Sequence, residues 1–152
     1  MRDIIAELPL HEYAAGQILL RAGTRSGKLL FLERGQIAVV RNGVQVTRVR
    51  HPGAVFGEMS LLLEGPHTAD VVAVDAVACR EVHDAKDFLL DHPEMMAFVA
   101  AVLAHRLDAV TRYLVDVKAQ FADLGGHLGM IDEVLESVLN RQPRGLGARA
   151  LG

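Results

Sequence analysis

The chain reads as an α+β protein, a roll or sandwich of short strands followed by long helices. Three observations carry this. Between Gly16 and Val82 the sequence is rich in Val and Leu and is broken by glycine at short intervals. After Asp84 the apolar residues change to a helical spacing. From Met96 that spacing becomes an unbroken heptad stripe. Many short strands with frequent turns favour packed β layers over a parallel sheet.

Taken in order, Asp3–Leu8 suits a short leading helix. Lys28–Glu33, Gln36–Arg41 and Val44–Arg50 read as three strands. A turn at Arg34-Gly35 joins the first two. Asn42-Gly43 joins the second and third, a dipeptide suited to the positive φ angles of a two-residue hairpin loop. His51-Pro52-Gly53 is another turn, and Ala69–Val74 and Ala78–Val82 read as two further strands. Asp84 can cap a helix whose first turn is acidic and whose body holds Phe88, Leu89 and Leu90.

Pro93 suits the first position of the next helix. Along it Met96, Ala100, Leu103, Leu107, Val110, Leu114, Val117, Phe121 and Leu124 alternate at intervals of four and three, the pattern of a coiled-coil seam. A helix from Pro93 to Leu124 would be about 48 Å long at 1.5 Å per residue. That outruns a small roll, so part of the stripe needs a partner. A parallel homodimer through Leu103, Leu107, Val110, Leu114, Val117 and Phe121 would cover it. The alternative is that the stripe packs only on its own domain. Gly125-Gly126 should end the helix. Leu128–Asn140 is a second amphipathic segment that either folds back on the long helix or binds a partner. Residues 141–152, rich in Gly and Arg, read as a disordered tail. The expected organisation is thus a domain over 1–124, a short helix over 127–140 and the tail.

Composition narrows the function. The 152 residues are 51% hydrophobic with a net charge of −3 and one cysteine, Cys79. That suffices for one cored domain and advertises no basic surface for nucleic acid. A lone cysteine excludes an internal disulfide and a cysteine-based metal site. No apolar run approaches membrane-spanning length and no signal peptide is evident, so the expectation is a cytoplasmic protein without a membrane partner.

Phe56-Gly57-Glu58-Met59-Ser60-Leu61-Leu62-Leu63-Glu64-Gly65-Pro66-His67-Thr68-Ala69-Asp70-Val71 holds the densest chemical signal. A tight turn, an acidic residue, a short apolar helical run and a second turn converge two polar loops, the way a protein builds an anion pocket from backbone amides. At this spacing the segment resembles the phosphate-binding cassette of cyclic nucleotide-binding domains. With Tyr13, Gly16, Gly23, Leu29–Gly35, Pro52-Gly53 and Val71–Ala73 in the expected order, residues 8 to 122 resemble the sensor domain of bacterial regulators of the catabolite activator and fumarate–nitrate regulator type. The resemblance implies an eight-stranded β-roll that holds the nucleotide and a long dimerising helix that covers it.

It also implies a ligand, cAMP or cGMP, and a set of contacts. Gly57 lets backbone approach closely. The amides of Glu58, Met59 and Ser60 open a short helix toward an anion. Glu58 would accept from the ribose 2′-hydroxyl, Thr68 would offer a hydroxyl and an amide to the phosphate, and Ala69 its amide. Thr111 or Arg112 on the long helix would meet the base. Where the family carries an arginine facing the phosphate, this chain has His67. A histidine with the ordinary pKa of about 6.5 is only about one-quarter charged at pH 7. A protonated His67, favoured by a bound anion, would make nucleotide binding strengthen toward pH 6.

Enzymatic readings find little support. The seven histidines show no pair at metal-ligand spacing, no nucleophile elbow surrounds Ser60, and Cys79 reads as a core residue. About 28 residues follow Leu124, too few for the helix-turn-helix domain that the resembled regulators carry. The expectation is a non-enzymatic cyclic nucleotide sensor with no metal or other cofactor, signalling through a homodimer to an effector protein. The alternative is a ligand-independent scaffold whose pocket has lost its chemistry.

Overall fold

In the computed structural model the described residues are 1–122 and 128–141. Leu124, the Gly125-Gly126 stop and residues 142–152 of the expected tail lie outside them. Eight strands form two antiparallel four-stranded sheets, an unclosed β-roll. One sheet has the order β1 (Leu10–Tyr13), β8 (Val77–Val82), β3 (Leu29–Arg34), β6 (Val55–Phe56). The other runs β2 (Ile18–Leu20), β7 (Asp70–Ala73), β4 (Ile37–Arg41), β5 (Val44–Val49). Leu20, Leu30, Leu32, Ile37, Phe56, Val71, Val77 and Cys79 pack together as the core. Burying each large aliphatic or aromatic side chain contributes about 1.5–3 kcal/mol relative to leaving it exposed.

Asn42 and Gly43 take φ values of 52° and 75°, and Arg41 sits opposite Val44, so the β4–β5 hairpin follows from its turn residues. The Arg34-Gly35 turn has a different role. β3 and β4 lie in different sheets, and Gly35, at φ 93°, carries the chain from one to the other. A β-carbon there would come within 2.5 Å of the Ala76 carbonyl oxygen.

The leading helix is α1 (Arg2–Glu7), and α2 (Glu58–Leu62) forms the cassette's helical run. α3 (Ala85–Asp91) begins after Asp84 without a capping bond from the Asp84 side chain; the Ala85 amide donates instead to the Gly27 carbonyl at 3.1 Å. α4 (Pro93–Gln120) ends four residues short of the expected Leu124, with Phe121 and Ala122 already in a turn. α5 (Leu128–Leu139) matches the second amphipathic segment.

The chain divides into two compact units, Met1–Val99 and Ala100 onward. In the first, α4 buries Met95 and Val99, which lie beside the heptad stripe and not on it. Of the stripe, Met96, Leu103, Leu114 and Val117 are half-buried, while Ala100, Leu107, Val110 and Phe121 are exposed. Heptad counting selects the longest apolar row on a helix, whereas burial within the first unit falls on Met95 and Val99. In the second unit Lys118 pairs with Asp132, and Met130, Val134, Val138 and Leu139 of α5 are exposed. No described helix is long and apolar enough to cross a membrane.

Candidate nucleotide-binding cassette

The cassette begins where β6 ends. Gly57 stands at the N-cap of α2 with φ 94°, a left-handed conformation that costs other residues about 1–2 kcal/mol. The close approach it permits is to the chain's own backbone: a β-carbon would lie 2.4 Å from the Lys28 carbonyl oxygen. Gly57 is therefore required by packing against the β2–β3 loop. The first turn of α2 follows, with Glu58 at its start.

Glu58 is buried at 3% exposure, so it is not the surface carboxylate that a simple acidic first turn would give. Met59 is exposed, with its side chain turned to solvent. Ser60 is buried and its hydroxyl donates to the Gly65 carbonyl at 2.7 Å, while the Gly65 amide donates to the Ser60 carbonyl at 3.1 Å. This pair of bonds closes the helical run onto the second turn, where Glu64 takes a positive φ of 51°. Ser60 is thus a lock within the cassette.

His67 is buried at 6% exposure and not a solvated loop residue. Its Nε2 lies 2.7 Å from the Ser26 hydroxyl oxygen, which also accepts the Lys28 amide at 3.2 Å. The His67 amide donates to the Thr24 carbonyl at 2.9 Å, and the Gly23 amide donates to the His67 carbonyl at 2.8 Å. Gly57 and His67 therefore both rest on the loop between β2 and β3, which brings the two halves of the cassette together. Burial pushes the His67 pKa below its ordinary value. Desolvation disfavours the imidazolium, and Nε2 is engaged by Ser26. That works against the expectation of a cationic His67 standing in for arginine at pH 6.

Thr68 is exposed and Ala69 half-buried, at the entry to β7. Asp70 accepts the Ala22 amide at 2.7 Å, so its charge is spent on the β2–β3 loop. Thr111 is half-buried on the part of α4 that belongs to the second unit, and Arg112 pairs there with Asp108. Neither is among the residues that the first unit assembles. A cleft of about 280 Å³ lined by Gly27, Leu61 and residues 83–87 includes none of Glu58, His67 and Thr68.

Sequence reasoning missed Ser26, which is 41 residues from the histidine it engages. It also missed a buried carboxylate. Glu81 is 1% exposed, accepts the Tyr13 hydroxyl, and lies 3.3 Å from the Lys28 ammonium. Its burial, its hydrogen bond to Glu81 and the charge there raise the Tyr13 pKa, and burial with the same charge pushes the Cys79 thiol to about 12. The signal was present: on a strand Cys79 and Glu81 share a face, so a core assignment for one implied burial of the other. The histidines are also less scattered in space than in sequence: His11 and His83, far apart along the chain, meet beside Glu81 once β1 pairs with β8.

Residues 10–88 match the family described as cyclic nucleotide-binding domain. The match contains the whole cassette and every strand of the roll. This chain belongs to the cyclic nucleotide-binding domain family. It is similar to Glutaminase 2 of Bradyrhizobium diazoefficiens, at 40% identity over 104 residues that make up 64% of this chain and 16% of that protein. It is similar also to the human potassium/sodium hyperpolarization-activated cyclic nucleotide-gated channel 4, at 29% identity over 71% of this chain and 9% of the channel. The chain thus spans a small part of the curated relatives it matches, and their names describe much longer proteins. The catabolite activator protein of Thermus thermophilus shares the fold, with a TM-score of 0.64 and 20% identity over 91% of this chain and 82% of that one.

Proposed function

We propose that this chain is a cyclic nucleotide-binding regulatory module, with cAMP as the ligand, that acts as a homodimer and passes its binding state to an effector protein along α4. The observation that carries the reading is a fully folded cassette within the matched family segment. Gly57 opens α2, Glu58 is buried at its start, and Ser60 ties the helix to the second turn. In this reading Glu58 takes the sugar hydroxyl, the amides of Glu58, Met59 and Ser60 face the phosphate from one side, and Thr68 and Ala69 face it from the other. α4 is one continuous helix from the first unit into the second, so a ligand that favours one placement of its start biases the placement of the rest. The module has no catalytic role and works in the cytoplasm.

A second reading, a ligand-independent dimerising scaffold, is favoured by one specific observation: His67 is buried, which disfavours its charged form, and is held by Ser26. Loss of a charge-assisted hydrogen bond to phosphate costs about 1.5–3 kcal/mol, or ten- to a hundredfold in affinity. His67→Arg separates the two readings. Titrated with cAMP and cGMP, the variant should bind at least about tenfold more tightly than the wild type if the remainder of the cassette is competent. A folded His67→Arg protein that ignores both nucleotides would establish the scaffold.

A further inference from the structure

We infer that His11, Glu81 and His83 form a binding site for a divalent transition ion, Zn²⁺ by the chemistry of its donors. The β1–β8 register sets His11 opposite Cys79, and alternation along β8 puts Cys79, Glu81 and the following His83 on one face. One ligand atom from each of His11, Glu81 and His83 lies within 4.8 Å of the other two. The imidazoles of His11 and His83 stand edge to face with centroids 5.9 Å apart. Two imidazole nitrogens and a carboxylate oxygen are the donor set of an open tetrahedral zinc centre, with the fourth position left for water.

The distances are close to those required. A tetrahedral ion with bonds of about 2.0–2.2 Å separates its ligand atoms by about 3.4 Å. His83 Nε2 is already 3.7 Å from Glu81 Oε2. Both histidines are exposed and free to turn the remaining distance, whereas Glu81 is fixed. Its side chain is fully buried, and the Tyr13 hydroxyl donates to Oε1, which leaves Oε2 toward the histidines. A carboxylate oriented from behind in this way is how outer hydrogen bonds prepare a metal ligand.

Lys28 is the competitor. Its ammonium lies 3.3 Å from the same Oε2 and must swing away when the ion arrives. Its side chain is 28% exposed, so solvent is within reach. Occupation would tie β1 to the end of β8. The site is separate from the cassette and does not depend on the nucleotide reading.

The test is calorimetric titration of the full chain, stripped with chelator, with Zn²⁺, paired with visible spectra of the Co²⁺ form. The expected result is one ion per chain and a Co²⁺ absorption band of tetrahedral type. The double variant His11→Gln/His83→Gln, altered at two exposed positions, should bind at least tenfold more weakly. Lys28→Met should bind at least threefold more tightly, because it removes the cation that occupies Oε2. No Zn²⁺ binding by the wild type, or undiminished binding by the double variant, would overturn the site. Equal or weaker binding by a folded Lys28→Met chain would remove Glu81 as the third ligand and overturn it as well.

Discussion

At Gly57 two constraints coincide, a positive φ of 94° and a space that the Lys28 carbonyl already fills. Gly57→Ala should therefore destabilise the first unit by about 2 kcal/mol or more, measured by denaturant titration, because left-handed strain adds to a backbone clash. His67 makes a different demand. Its folded pKa lies below the unfolded value, so between the two the unfolded chain binds more protons and stability rises with pH. As pH falls below about 6.5, the unfolded value, the wild type loses that contribution on the way down to the folded pKa. His67→Gln cannot titrate. Melting curves from pH 7.5 to 5 should show the wild type falling faster than the variant, and parallel curves would contradict a buried neutral imidazole. The Ser26 partnership behind this was invisible in the sequence, since nothing local links residues that meet only when the β2–β3 loop folds onto the cassette.

Among the elements, those with local signals were legible and those made by distant pairing were not. Asn42-Gly43 announces its hairpin because the turn residues alone select the geometry. β1, β2 and β6 are two to four residues long, too short for a period to register, and each exists because a strand far along the chain pairs with it. α4 was legible as a helix, but its buried residues were not. Met95 and Val99 enter the first unit's interior while Leu107, Val110 and Phe121 of the stripe stay exposed. Leu107, exposed, and Leu114, half-buried, bear on the dimer proposal. Leu107→Asp with Leu114→Asp should convert a dimer into a monomer by light scattering without unfolding the roll. A wild type that is already monomeric would refute it.

For the whole molecule, the family and the roll are established, and both are legible in the ordered set of glycines and cassette residues. The candidate site was only half legible. The backbone scaffold of Gly57, Glu58 and Ser60 could be read from spacing, but the ionisation of His67 could not, because charge depends on burial and burial is a property of the folded unit. Burial works against a protonated His67, so the proposed binding rests on the amides and Glu58. The most direct measurement is calorimetric titration of ligand-stripped protein with cAMP and cGMP at pH 8 and pH 6. The account predicts saturable binding of one nucleotide per chain, micromolar in affinity and tighter for cAMP, with less than about a threefold change between the two pH values. A folded protein that gives no heat with either nucleotide at either pH would contradict it.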